Sequence, residues 1–297
     1  MKPKILYHYC SLESLSKIIG DICLKNDGSP IMTSYFQMTS YRHLNDPGES
    51  MTIFNVYKNC RNLEGLEKYF KSIFDGTKTF IACFSAARDN LTMWRSYGRD
   101  GRGGCIGFNV EKLNRVIERI EKFNVGKGKS GLLYPPESVG VCLKEVKYVS
   151  ADCCIDKFET ENGRYVFSDL LDGEADEWVA PKSGGELIKR AIDCWSVKSD
   201  DYEVEKEWRL IATFDMNYFK DEFLRDNRKY VGNPFRLKYI FSDCMMRERL
   251  FIRLVENCID EIILGPKCSM QKNEIERYLL IYFNERVIVS NSDKMYR

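Results

Sequence analysis

Glu205, Glu207 and Arg209 alternate along Tyr202–Thr213, the stretch Tyr-Glu-Val-Glu-Lys-Glu-Trp-Arg-Leu-Ile-Ala-Thr. Read as a strand, it sends every second side chain to one face. Val204, Trp208, Leu210 and Ala212 then share a face, interrupted by Lys206, and Glu205, Glu207, Arg209 and Ile211 share the other. Successive residues on one face stand roughly 7 Å apart. Carboxylates held close raise each other's pKa, and a nearby guanidinium opposes the rise. Such a face suits a reaction that develops positive charge on its substrate. A solvated outer face with an ion-pair ladder has the same pattern, and the strand alone leaves both readings open.

His8 is the second candidate. It ends a first strand in Leu-Tyr-His-Tyr-Cys-Ser, pointing opposite to Tyr7 and Tyr9. The helix that follows offers free backbone N–H groups close by, a place for an anion. A strand-end histidine bonded to a neighbouring carbonyl is the structural alternative. A third region runs from Ser85 to Gly104. Trp94 and Tyr97 lie three apart on a short helix and can share a face. Arg88, Arg95, Arg99 and Arg102 make the segment basic, and its glycine-rich turn can let backbone approach a phosphate. It lacks the Gly-Lys-[Ser/Thr] ending of a Walker loop and the Rossmann fingerprint. A hairpin turn with Trp94 in the core is the alternative. Cys10 lies close to His8 in sequence, a weak basis for a thiol hydrolase.

These residues need elements to hold them. Ile5–Tyr9, Ile22–Lys25, Ser34–Thr39, Thr79–Ser85, Cys105–Asn109, Val139–Val149, Leu237–Phe241, Ile259–Leu264 and Val287–Ser290 read as further strands. Helices are expected at Ser11–Ile19, Glu49–Cys60, Leu63–Phe74, Asn90–Tyr97, Val110–Lys122, Tyr165–Leu171, Glu186–Ser199, Met245–Asn257 and Ser269–Phe283. Mixed order without regular βαβ alternation predicts an α+β fold, a mostly antiparallel central sheet with flanking helices. One domain over 1–297 is expected, with insertions at 124–138 and 150–185.

The bulk numbers set limits. The chain has 297 residues with 45 basic and 44 acidic side chains, a net charge of +1. Nothing there demands nucleic acid or an anionic membrane, although a local basic patch is compatible with it. Met1–Tyr9 lacks the apolar core of a signal peptide, and no apolar run is long enough to span a bilayer. Twelve cysteines without a Cys-x-x-Cys pair predict reduced thiols in a cytoplasmic protein. With His8 and His43 the only histidines, no zinc-ligand spacing appears, and no metal site is expected.

Several segments, in order, resemble a large bacterial family whose domain has no assigned function. They are Leu6–Leu15, Leu44-Asn45-Asp46-Pro47, Cys83-Phe84-Ser85, Met93-Trp94-Arg95-Ser96-Tyr97-Gly98, Glu205-Lys206-Glu207-Trp208-Arg209-Leu210, Ile262–Gly265 and Ser290–Arg297. More remotely, the layout is similar to the ADP-ribosyltransferase superfamily, with its DarT-type nucleic-acid modifiers. That superfamily carries a first-strand His or Arg, a middle-strand Ser or aromatic, and a late-strand Glu, often Glu-x-Glu. His8, Ser85 with Trp94 or Tyr97, and Glu205-Lys206-Glu207 fill those slots here. Cys10 departs from the small hydroxyl residue that many members place two positions after the histidine.

The resemblance implies NAD as substrate and an ADP-ribosyltransferase-like fold. Cleavage of the nicotinamide–ribose bond passes through an oxocarbenium-like state. Glu207 would stabilise that charge, Glu205 would orient or deprotonate the acceptor, and His8 would hold the ribose on the adenosine side. Trp94 or Tyr97 would stack on nicotinamide, Arg95 or a neighbouring arginine would take the pyrophosphate, and Tyr9 and Ser85 would complete the NAD contacts. The acceptor would be a protein or nucleic acid, and the setting a bacterial toxin or antiphage effector with a possible regulatory protein partner. Two other classes compete: a non-catalytic nucleotide-sensing or partner-binding module, and a metal-assisted hydrolase or nuclease built on Glu205 and Glu207.

Overall fold

The computed structural model describes residues 2–20, 22–24, 30–32, 35–44, 52–57, 63–125, 127–128, 131–132, 137–150, 183–219, 234–242, 245–254, 258–283 and 287–295. β1 (Ile5–Cys10), α1 (Leu12–Gly20), β2 (Ile22–Leu24), β3 (Pro30–Met32) and β4 (Tyr35–Ser40) come first. α2 (Thr52–Tyr57) and α3 (Leu63–Gly76) lead to β5 (Thr77–Ser85), α4 (Leu91–Ser96), β6 (Gly104–Asn109) and α5 (Val110–Val125). Next are β7 (Lys127–Gly128), β8 (Gly131–Leu132), β9 (Val139–Glu145), β10 (Lys147–Val149), α6 (Gly184–Cys194), β11 (Val197–Ser199) and β12 (Glu207–Asp215). β13 (Phe235–Ser242), β14 (Met245–Arg253), β15 (Ile259–Leu264), α7 (Lys272–Phe283) and β16 (Ile288–Asn291) complete the order.

The fold is α+β, as expected, around a ten-stranded sheet in which every pairing but β15–β16 is antiparallel. The sheet forks at β5. One edge of β5 pairs with β12 along its whole length, from Thr77↔Asp215 to Ser85↔Glu207. The other edge is divided between two strands. Phe80 and Ile81 pair with Ser40 and Thr39 of β4, while Ser85 pairs with Tyr7 of β1. Between those contacts β1 and β4 part, and each carries its own branch. β4 continues to β14 and β13, and β1 to β6, β15 and β16.

Aromatic side chains fill the wedge. Phe36 of β4 stacks on Phe84 at 5.1 Å and meets Phe108 of β6 edge-on at 5.1 Å. The same core takes Trp208, Leu210, Ala212 and Phe214 from β12. α5 joins it because Val110, Leu113, Val116, Ile117 and Ile120 recur at helical spacing and are buried. On the opposite side of β12, Ile211 packs with Ile81, Trp195 and two isoleucines of α6, Ile188 and Ile192. β12 is therefore covered on both faces and buried at all nine positions. That is why its Arg209 lies in the interior and not on a solvated face.

Four expectations need correction. The strand read over Tyr202–Thr213 begins only at Glu207. Asp200–Glu205 is a 3-10 turn, with the Ser199 hydroxyl accepting from the Asp201 N–H, and Lys206 leaves it in the left-handed region at φ 45°. Val204, placed on the apolar face by alternation, is 48% exposed. The helix read over Met245–Asn257 is β14, held on both edges by β13 and β4. Its Leu250 and Ile252 alternate into the core, so sheet pairing overrides a helical reading of the same letters. The helix read to Ser199 ends at Cys194, because Val197–Ser199 pairs in parallel with Lys147–Val149. The strand Val139–Val149 breaks at Val146, whose N–H turns to the Glu207 carbonyl. The expected helix Tyr165–Leu171, Asn45–Pro47, and most of the proposed insertions lie outside the described residues. No helix among the described residues is long and apolar enough to cross a membrane.

Candidate active site

The fork sets the geometry. Where β1 and β5 part, the Cys83 carbonyl loses a strand partner, and His8 supplies one through Nδ1 at 2.9 Å. A carbonyl only accepts, so Nδ1 carries the hydrogen, and in the neutral ring Nε2 is left as an acceptor. The ring sits edge-on to Phe36 and Phe84 at 5.3 and 6.0 Å. Burial lowers the imidazole pKa below its ordinary 6.5, against the raising effect of the Cys83 carbonyl. At neutral pH the ring is uncharged. The carbonyl-bonded alternative describes this histidine, and yet the ring also lines a pocket.

That pocket is a cavity of about 110 Å³ at the fork, lined by Tyr7, His8, Tyr9, Leu44, Cys83, Phe84, Met93, Tyr97, Lys198, Glu205 and Glu207. An apolar cavity of ~150 Å³ accepts benzene, so this one is on the scale of a single ring. Its polar wall is a buried ion cluster. Glu207 is bound by Arg209 through Nε at 2.7 Å and Nη2 at 3.2 Å, and by Lys198 Nζ at 3.1 Å. Lys198 also binds Glu205 at 2.9 Å, and Tyr97 donates to the other Glu205 oxygen at 2.7 Å. Arg209 Nη1 ends the chain on the Trp195 carbonyl. Burial alone would raise the Glu207 pKa. The Arg209 charge and hydrogen bonds, then Lys198, outweigh it and bring the carboxyl to about 2. Glu207 is a fixed anion. Burial pushes the Tyr97 hydroxyl well up, helped by the Glu205 charge, so Tyr97 remains a donor.

The left-handed Lys206 explains how both acids reach one place. A straight strand would set Glu205 and Glu207 side by side on one face. Instead the turn folds Glu205 back so that Lys198 bridges the pair. Ser85 fixes this turn: its hydroxyl donates to the Glu205 carbonyl at 2.6 Å and accepts from the Ala87 N–H. Tyr148 accepts from the Glu207 N–H at 2.7 Å.

His8, Tyr9, Tyr97, Glu205 and Glu207 thus converge on one pocket, while Ser85, Trp94 and Arg95 do not line it. Trp94 is completely buried, donates to Asp89 at 2.7 Å and packs edge-on against Tyr9 at 4.9 Å. Its ring is not available to stack on a ligand, which leaves Tyr97 of the expected pair. Arg95 is exposed on α4. Tyr9 lines the pocket through its ring, and its hydroxyl donates to the Ala87 carbonyl and accepts from the Asn90 N–H. The glycine-rich turn is packed rather than open: a side chain at Gly103 would collide with the Cys10 carbonyl. Cys10 is buried, and burial pushes its thiol up to about 12, so it is a poor nucleophile.

Sequence reading missed Lys198, Cys83 and Tyr148. Lys198 fell inside an expected helix, and only the β10–β11 pairing sends it to the acids. Cys83 has an exposed side chain in the pocket, and its thiol donates to Glu207. Its partners come from strands far off in the chain. Among the described residues no group of three or more His, Cys, Asp and Glu side chains can hold a metal ion.

Residues 93–210 match a family described as a protein of unknown function, DUF2971. The matched span holds Tyr97, Lys198, Glu205 and Glu207, and β1 with His8 lies before it. No curated protein and no solved structure matches the chain.

Proposed function

We propose that this protein is an ADP-ribosyltransferase or NAD glycohydrolase: it cleaves the nicotinamide–ribose bond of NAD and passes ADP-ribose to a macromolecular acceptor or to water. One observation supports this above the others. An uncharged imidazole, a tyrosine and a fixed carboxylate, from segments far apart in the chain, line one ring-sized pocket at a forked sheet.

The roles follow from the chemistry of each group. Glu207 remains ionised and stabilises positive charge developing on the ribose more than it stabilises the ground state. His8 presents Nε2 to a ribose hydroxyl. Tyr97 and Tyr9 offer ring surface to a flat base. Glu205 holds Tyr97 in place and orients the acceptor. The toxin or antiphage setting rests on the superfamily resemblance alone.

One observation favours a second reading, a nucleotide-sensing module without turnover. Both Glu207 oxygens are engaged by Arg209 and Lys198, as in a structural ion cluster. A metal-assisted hydrolase fits less well, because Lys198 Nζ already stands where a cation would bridge the two acids.

NAD turnover by purified protein, with cell extract as acceptor, separates these readings. The transferase reading expects NAD loss with labelling of an acceptor. Glu207→Gln and the charge-preserving Glu207→Asp should each lower turnover at least about 100-fold in protein that still melts cooperatively. NAD binding without turnover supports the sensor reading. Divalent-dependent hydrolysis indifferent to NAD overturns both.

A further inference from the structure

Residues 292–294, which follow β16, line no part of the pocket, yet they are bonded to its frame. The Ser292 N–H donates to the Leu264 carbonyl at 2.8 Å, which hangs this strap from the end of β15. The strap then turns to Asp89. The Ser292 hydroxyl donates to Asp89 Oδ1 at 2.6 Å, and the Asp293 N–H donates to Oδ2 at 2.9 Å. Trp94 Nε1 gives Oδ1 a second donor at 2.7 Å. Asp89 is only 5% exposed, and a buried carboxylate is costly unless hydrogen bonds satisfy it. Burial would raise its pKa. The Ser292, Trp94 and Asp293 bonds, then the charge of Lys294, outweigh burial and hold it below the ordinary value. Asp293, Lys294 and Met295 are exposed, so hydrogen bonds to Asp89 hold the strap more than apolar packing does. Asp89 also stands in the left-handed region at φ 49°, where L-residues other than Asn and Asp are uncommon.

Asp89 belongs to the loop 86–90 between β5 and α4, and the pocket wall hangs on that loop. The Ala86 N–H donates to the Lys206 carbonyl at 2.9 Å. The Ala87 N–H donates to the Ser85 hydroxyl, which in turn donates to the Glu205 carbonyl. The Tyr9 hydroxyl donates to the Ala87 carbonyl and accepts from the Asn90 N–H, both at 2.8 Å. Asn90 caps α4 by accepting from the Thr92 and Met93 N–H groups. Met93 lines the pocket, and Tyr97 at the other end of α4 donates to Glu205. Tyr9, Met93, Tyr97 and Glu205 therefore take their places from this loop. Glu207 does not, because Arg209 and Lys198 hold its carboxylate.

We propose that Asp89 is a positioning residue, and that docking of 292–294 on it clasps loop 86–90 in the shape that sets Tyr9, Tyr97 and Glu205 around the pocket. Release of the strap leaves a buried carboxylate with one of its three donors, so the loop opens to hydrate it. The ring wall then moves while the Glu207 carboxylate remains in place. This holds for whatever ring the pocket takes; only the NAD arm of the test rests on the proposed function.

The test is amide hydrogen exchange, read by mass spectrometry on the full chain, for wild type, Ser292→Ala, Asp293→Pro and Asp89→Gly. Asp293→Pro removes one N–H at an exposed position. Asp89→Gly keeps the left-handed backbone and removes the carboxylate. Each should speed exchange across 86–97 and at the Lys206 amide about tenfold, the scale of one lost hydrogen bond to a charged group. Exchange across 210–213, inside β12, should not change. Asp89→Asn keeps an acceptor and tolerates the backbone, so it should fall between wild type and Asp89→Gly. If Asp89→Gly does not melt cooperatively, the two strap variants carry the test. Unchanged exchange at Lys206 in folded Ser292→Ala and Asp293→Pro overturns the clasp. So does equal acceleration at 86–97 and 210–213, which marks a general loss of stability. In the NAD arm, the strap variants should raise KM about tenfold and leave kcat within about twofold, because Glu207 is not displaced. An unchanged KM overturns the clasp. Were wild type inert towards NAD, the proposed function would fall, and exchange alone would decide the clasp.

Discussion

Glu207 ties the stability of the molecule to the chemistry proposed for it. Its carboxyl titrates at about 2 against an ordinary 4.5. A depressed acid contributes stability above its unfolded pKa and loses it as pH falls toward the folded value. At 1.36 kcal/mol per unit, the ionised carboxylate holds about 3 kcal/mol of stability that the protonated one does not. Wild-type protein should lose that amount between about pH 4.5 and 2, and Glu207→Gln should show a flatter acid limb in urea melts across that range. Lys198→Met leaves two buried acids facing each other, and should lower unfolding free energy by about 3–5 kcal/mol. Chemical denaturation measures both. His8 makes the opposite kind of prediction. Its lowered pKa keeps it neutral where an ordinary imidazole of 6.5 is half charged, and NMR titration of its ring protons should place its midpoint on the acid side of that value. That His8 and Glu207 line one pocket was legible in part, because both were singled out by residue type and position in the strands. Lys198 was not, because nothing local distinguishes a lysine bound for a buried acid pair from one on a helix surface.

The 3-10 turn before β12 is the element on which the site depends. Lys206 holds φ 45°, a conformation that costs an ordinary L-residue roughly 1–2 kcal/mol. Lys206→Gly should fold at least as well and retain NAD turnover. Lys206→Ile should be less stable than wild type, because a β-branched residue is more strongly disfavoured there than lysine, and should lose most turnover, since the turn carries Glu205 to Lys198. Thermal melts and initial rates check both variants. Alternation alone located β12 and the inward face of Trp208, Leu210 and Ala212. It failed at Val204 and Lys206, because a left-handed residue has no signature in a lysine. It failed again at Met245–Arg253, where pairing on two edges, invisible in one segment, decides between helix and strand.

Across the whole molecule, the forked sheet joins the parts. Dividing one edge of β5 between β1 and β4 opens a ring-sized space, frees the Cys83 carbonyl for His8, and brings Tyr7 and Glu207 into its wall through their pairing with Ser85. The mixed order of helices and strands announced the α+β class, but not the fork, which is a property of strand order in space. The central claim is that the space binds NAD and that Glu207 acts on it. The most direct measurement is chromatographic: NAD consumption by wild type, Glu207→Gln and Glu207→Asp, each first shown to melt cooperatively. The account predicts steady NAD loss with wild type and at least about 100-fold less with either variant. Turnover by folded Glu207→Gln at the wild-type rate, or no NAD loss with wild type and every acceptor extract, contradicts it.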